Sequence, residues 1–179
     1  MDIYIIDIGI KNFIAEKSLK QFNHHNYTNS KKAAIHSLSY FLTDRILKNI
    51  YKIDDREITF VNSKPILKNN KKHFSISHSD CYIAICFSDY ECGIDIEKIK
   101  FRDFKAISDR MNFHTESLEE FYRKWTEYEA LYKLGVNNKA ESKYYSKIDN
   151  YALTAASISP NENFTLKYNN SIEKELIKK

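Results

Sequence analysis

Apolar and polar residues alternate from Asp2 to Ile8, a period that predicts an opening strand. From Ser30 the period changes. Ala34, Leu38, Leu42, Ile46 and Ile50 recur every four residues and predict a long helix with one apolar stripe, which Ser30 can cap. Lys31 and Lys32 then fall in its first turn against the helix dipole, as solvated side chains or beside a bound anion. Ile58 and Phe60 alternate in a short strand that Lys64-Pro65 ends. His73 to Ser77 and Tyr82 to Ser88 read as strands separated by the polar run His78-Ser79-Asp80. Gly93 to Lys100 forms another after a break at Ser88 to Glu91. A second helix opens at the capping box Ser117-Leu118-Glu119-Glu120, carries Phe121, Trp125 and Tyr128 at helical spacing, and stops at Gly135. Strand character returns at Tyr144, from Tyr151 to Ile158 and from Phe164 to Tyr168.

The run Asp80-Cys-Tyr-Ile-Ala-Ile-Cys-Phe-Ser88 is echoed by Asp149-Asn-Tyr-Ala-Leu-Thr-Ala-Ala-Ser157. Each copy is entered by Asp-x-Tyr and closed by Ser, and each follows a long helix. The expected fold is therefore α+β: two similar halves, about 1–92 and 93–179, each with a small antiparallel sheet and a long helix, related by a pseudo-twofold axis. The 179 residues suit one such unit, and only 3 Gly and 2 Pro argue for regular elements joined by short connections.

The net charge of +4 changes this picture little. Its excess is spread lysine, with arginine only at Arg45, Arg56, Arg102, Arg110 and Arg123, which suits a solvated surface, an anionic cofactor or an acidic protein partner better than nucleic acid. Cys81, Cys86 and Cys92 lack the spacing of a zinc site and read as reduced residues of apolar strands. No apolar run approaches the roughly 20 residues of a membrane span, and Asp2 and Asp7 interrupt the N-terminal stretch, unlike a signal peptide. The expectation is a soluble, cytoplasmic protein without membrane contact.

Candidate chemistry centres on Gly93-Ile-Asp-Ile-Glu-Lys98. Strand geometry puts Asp95 and Glu97 on one face and Ile94 and Ile96 on the other. Two carboxylates side by side repel unless a proton or cation lies between them, and Mg²⁺ with a phosphate ligand meets that demand. Trp125, Glu129 and Lys133 fall on one face of the second helix. Ser77, His78 and Lys64 supply donors for phosphate oxygens.

The order of these pieces, from Ser63-Lys64-Pro65 through Phe74-Ser-Ile-Ser-His-Ser79 and Gly93-Ile-Asp-Ile-Glu-Lys98 to Trp125-x-x-x-Glu-Ala-x-x-Lys133, closely resembles the 4′-phosphopantetheinyl transferase superfamily, in its longer, pseudo-dimeric, surfactin-synthetase-activating type. The resemblance implies transfer of phosphopantetheine from coenzyme A to a serine of an acidic acyl or peptidyl carrier protein, with Mg²⁺ required and 3′,5′-ADP released. It implies Asp95, Glu97 and Glu129 as metal ligands, and Lys64, Ser77, His78, Lys100 and Lys133 at the coenzyme A phosphates, with Lys31 or Lys32 at the 3′-phosphate. Glu129, Lys133 and His78 become the catalytic candidates, with Glu129 as general base. A monomer is expected, because both halves are in one chain. Two departures stand out: Tyr128 fills a position that is often Lys, and the C-terminal half is short. They motivate the alternative of a non-catalytic relative that binds coenzyme A or a carrier, although none of the metal carboxylates is lost.

Overall fold

The computed structural model describes residues 1–8, 30–135 and 139–168, with the backbone alone for Ser30 and Lys31. Among the described residues, a four-stranded sheet has the order β4-β5-β1-β9 and a three-stranded sheet the order β6-β8-β7. The strands are β1 (Asp2–Asp7), β4 (His73–Ser79), β5 (Tyr82–Ser88), β6 (Cys92–Lys98), β7 (Ser142–Ile148), β8 (Tyr151–Ser157) and β9 (Thr165–Tyr168). A separate hairpin pairs β2 (Ile58–Val61) with β3 (Lys64–Leu67), and the helices are α1 (Ser30–Asn49), α2 (Lys105–Arg110) and α3 (Leu118–Leu134).

Burial arranges these elements as helix, sheet, sheet, helix. One face of the first sheet, with Tyr4, Ile6, Ile83, Ile85 and Phe87, packs against Leu38, Leu42, Ile46 and Leu47 of α1. Its other face, with Ile3, Ile5, Ala84 and Cys86, packs against Ile94, Ile96, Leu153 and Ala155 of the second sheet. Phe121 and Tyr122 of α3 pack against Ala152, and Ala130 and Leu134 against Ala156. Ala34, assigned to the stripe of α1, is exposed.

The α+β class holds, whereas a twofold relation between the halves is not evident. The hairpins β4–β5 and β7–β8 do repeat the sequence echo, because Asp80 and Asp149 open two-residue turns with φ of 52° and 51°. The sheets they enter differ in strand number and order. Moreover, β9 leaves the second half and pairs in parallel with β1.

Three elements depart from the sequence expectation. Lys64-Pro65 opens β3 rather than ending a strand, because Asn62 and Ser63 turn the chain with φ of 49° and 65° and proline is tolerated in an edge strand. β4 continues through His78 and Ser79, both paired with β5. α2 was not expected. Ser117 does cap α3, accepting the Glu120 N–H at 3.1 Å, and Gly135 ends it with φ of 130°.

β6 lies so close to α3 that a Cβ on Gly93 would meet the Ala130 carbonyl oxygen at 2.0 Å. This contact brings the face of β6 that bears Asp95 against the helix. No helix among the described residues is long and apolar enough to cross a membrane.

Candidate functional site

Side chains of β4, β6 and α3 enclose a cleft of about 390 Å³, lined by Ile76, Ser77, His78, Asp95, Glu97, Trp125, Glu129 and Lys133. All the catalytic and metal-ligand candidates read from the sequence share it. Alternation along β6 sends Ile94 and Ile96 into the core between the sheets and Asp95 and Glu97 toward α3.

β4 and β6 border the cleft from different sheets, joined by a row of serine hydroxyls. Ser75, Ser77 and Ser79 accept the N–H groups of Ile94, Ile96 and Lys98 at 3.2, 3.3 and 3.0 Å. Two of these hydroxyls also donate onward: Ser77 to Asp95 Oδ1 at 2.7 Å, and Ser79 to Glu97 Oε2 at 2.9 Å. From the other side, Lys133 Nζ donates to the same Asp95 Oδ1 at 2.8 Å and to the Ile94 carbonyl at 3.1 Å. Trp125 lines the cleft beside Glu97 and stacks on Phe121. Below the site, the hydroxyls of Thr126 and Thr154 bond each other at 2.8 Å and fix α3 to β8.

The electrostatics follow from burial and from Asp95, which is 4% exposed. Burial, then the Asp95 charge, raises the Glu97 carboxyl above its ordinary value, against the opposing pull of Ser79 and Lys133. Glu129 is raised in the same order by burial and by Asp95, with Lys133 opposing. His78 keeps an exposed edge, yet desolvation of the rest of its ring, followed by the Lys133 ammonium, lowers its pKa and favours the neutral imidazole.

One ammonium thus faces three carboxyl groups. Asp95 Oδ2 is buried without a hydrogen-bond partner among the described residues, and an unpaired buried carboxylate oxygen is costly. An all-oxygen donor set with excess negative charge fits a hard divalent cation such as Mg²⁺. The carboxyls are not already gathered around such an ion: among the described residues no group of three His, Cys, Asp or Glu side chains stands ready to hold one.

The cations expected at coenzyme A phosphates do not all reach the cleft. Lys64 donates to the Leu134 carbonyl at 2.9 Å and so serves the end of α3. Lys100 lies beyond the end of β6, exposed, with its charge felt at Asp80 rather than in the cleft. Ser77 spends its hydroxyl proton on Asp95 and is a partner of the carboxylate before it is a donor to phosphate. The Lys32 charge adds, after burial and Lys133, to the lowering of the His78 pKa, but Lys32 is not among the residues that line the cleft. The Lys31 side chain lies outside the described residues. Tyr128 faces a different hollow of about 540 Å³ on the other flank of α3, which among the described residues is lined by Leu131, Tyr132, Lys139 and Lys143 with others and by no acid. The smaller cleft is the one that gathers the carboxyl candidates.

Sequence reasoning missed the row formed by Ser75, Ser77 and Ser79. The period-two serines of Phe74-Ser-Ile-Ser-His-Ser79 were the available signal. Cys81, Cys86 and Cys92 are free thiols. No protein-family model matches the chain, and no curated protein matches it significantly.

Proposed function

We propose that the chain is a Mg²⁺-dependent 4′-phosphopantetheinyl transferase that moves phosphopantetheine from coenzyme A to a serine of an acidic acyl or peptidyl carrier protein and releases 3′,5′-ADP. The observation that carries the reading is the buried Asp95 carboxylate, one oxygen held by Ser77 and Lys133 and the other unpaired, in a cleft shared with Glu97, Glu129 and His78. The motif order from Lys64 to Lys133 supports the same reading. A cytoplasmic monomer of two related halves completes the proposal.

In this reading Asp95, Glu97 and Glu129 hold the cation. When bound, Mg²⁺ supplies charge neutralisation and Lewis-acid polarisation at the pyrophosphate of coenzyme A. Glu129, with its carboxyl raised toward neutrality by burial and Asp95, takes the proton of the carrier serine. The serine oxygen bonds to phosphorus as the bond to 3′,5′-ADP breaks, and the departing phosphate leaves with the electron pair. Lys133 then balances the charge on that phosphate, and His78 donates a hydrogen bond to a phosphate oxygen.

The test is intact-mass spectrometry of an apo carrier protein after incubation with this protein, coenzyme A and Mg²⁺. A gain of one phosphopantetheine that chelator abolishes supports the proposal. The absence of any gain with acyl and peptidyl carriers alike refutes it. A second reading, a non-catalytic binder of coenzyme A or a carrier, is favoured by the Lys133–Asp95 ion pair, which supplies a counter-charge from within the chain. Coenzyme A binding without product would select it.

A further inference from the structure

The row of serines on β4 does two jobs at once. Each hydroxyl accepts an N–H of β6, in a constant register: Ser75 with Ile94, Ser77 with Ile96, Ser79 with Lys98. A hydroxyl that accepts from a backbone amide has its proton directed elsewhere. For Ser77 and Ser79 that direction is a carboxylate of β6, Asp95 Oδ1 and Glu97 Oε2. For Ser75 no carboxylate is available, because residue 93 is glycine.

We propose that Ser77 and Ser79 are positioning residues for cation binding: they hold one oxygen of Asp95 and one of Glu97 so that the remaining oxygens face the cleft. The inference rests on the proposed metal site but assigns roles to groups outside it. Ser77 keeps Asp95 Oδ1 occupied, jointly with Lys133, and leaves the buried Oδ2 as the free ligand atom. Ser79 does the same for Glu97. Ser77 thereby exchanges the phosphate-contact role implied by resemblance for one beneath the carboxylates, and Ser79, read as part of a polar break, becomes part of the site.

Ser75 provides the control. Ser75→Ala, Ser77→Ala and Ser79→Ala each leave one N–H of β6 unpaired, so a purely structural role lowers the thermal midpoint in all three. Metal affinity separates them. Mn²⁺ alone, without coenzyme A, is titrated into each purified full-length variant while electron paramagnetic resonance reads free Mn²⁺. Loss of a partner that orients a metal ligand weakens affinity by about 10–100-fold. The expected result is such a loss for Ser77→Ala and Ser79→Ala, wild-type affinity for Ser75→Ala, and rescue by Ser79→Thr. Wild-type affinity in Ser79→Ala, or an equal loss in Ser75→Ala, overturns the positioning role while Mn²⁺ binding to the wild type leaves the metal site standing. No Mn²⁺ binding by the wild type overturns both.

Discussion

Gly93→Ala should damage the protein through one added methyl group. The backbone of Gly93 is ordinary strand, so alanine is not excluded by its φ. Space excludes it: the new Cβ would lie 2.0 Å from the Ala130 carbonyl oxygen and 2.8 Å from the Leu134 nitrogen. Both are backbone atoms of α3, so no side chain can swing aside. Retreat to even 3.0 Å from that oxygen requires a shift of 3.0 − 2.0 = 1.0 Å between strand and helix. Such a shift would stretch the 2.8 Å bond from Lys133 to Asp95 beyond hydrogen-bonding range. Overpacking of this kind costs about 1–3 kcal/mol, and loss of a hydrogen bond to a charged group about 1.5–3. Relief of glycine entropy in the unfolded chain returns about 0.4–1 kcal/mol. The net is roughly 3 kcal/mol, which at this chain length lowers Tm by about 6–12 °C. Scanning calorimetry of the two proteins reads the difference directly. A Tm within about 2 °C of wild type would refute the argument, since it would mean that α3 and β6 separate at little cost.

Asp95→Ala and Glu129→Ala should each cut carrier modification by about 10²–10³-fold while circular dichroism stays near native, and unchanged turnover in both would remove the assigned site. Thr126→Val strands the buried Thr154 hydroxyl and should cost about 1–3 kcal/mol in urea unfolding. Thr154→Val should cost less, because Thr126 retains the Arg123 carbonyl, and the double variant should cost less than the sum. Lys64→Met should lower stability by about 0.5–1.5 kcal/mol with little change in the KM for coenzyme A, whereas a tenfold rise, about 1.4 kcal/mol, would return Lys64 to the phosphates. Burial alone would raise the Glu162 carboxyl, but the N-terminal ammonium of Met1 and the hydroxyls of Ser88 and Ser157 hold it below its ordinary value. A depressed folded pKa adds stability above the unfolded value of about 4.3 that disappears as pH falls through the folded one. The stability gap between wild type and Glu162→Gln, measured by urea unfolding from pH 7 to pH 3, should therefore shrink below about pH 4, and a gap that widens toward acid would contradict the assignment.

The sequence revealed elements wherever burial imposed a period. The apolar stripe of α1 and the capped, periodic α3 were readable, as was the alternation of β6 that divides Ile94 and Ile96 from Asp95 and Glu97. β3 was hidden because Pro65 reads as a terminator until its edge position is known. α2 spans only Lys105–Arg110 and has no stripe. Carboxylates were easier to place than cations. Asp95 is fixed by the face of a buried strand, whereas lysine has a long stem that local geometry directs, as when the Leu134 carbonyl captures Lys64. The serines were obscure for another reason. Their partners lie 19 residues away on another sheet, and polar residues at a strand end look like a turn.

The parallel pairing of β1 with β9 has a consequence for synthesis of the chain. β1, with four fully buried residues from Ile3 to Ile6, takes β5 on one side and β9 on the other. Residues 165–168 leave the ribosome some 160 residues after their partner. Until then the first sheet ends in an apolar strand with an open row of amides and carbonyls, a template for unwanted strand addition. Nascent chains of this protein should therefore need chaperone protection until β9 emerges, and truncations just before Thr165 should be caught in aggregates even though the cleft residues are all present.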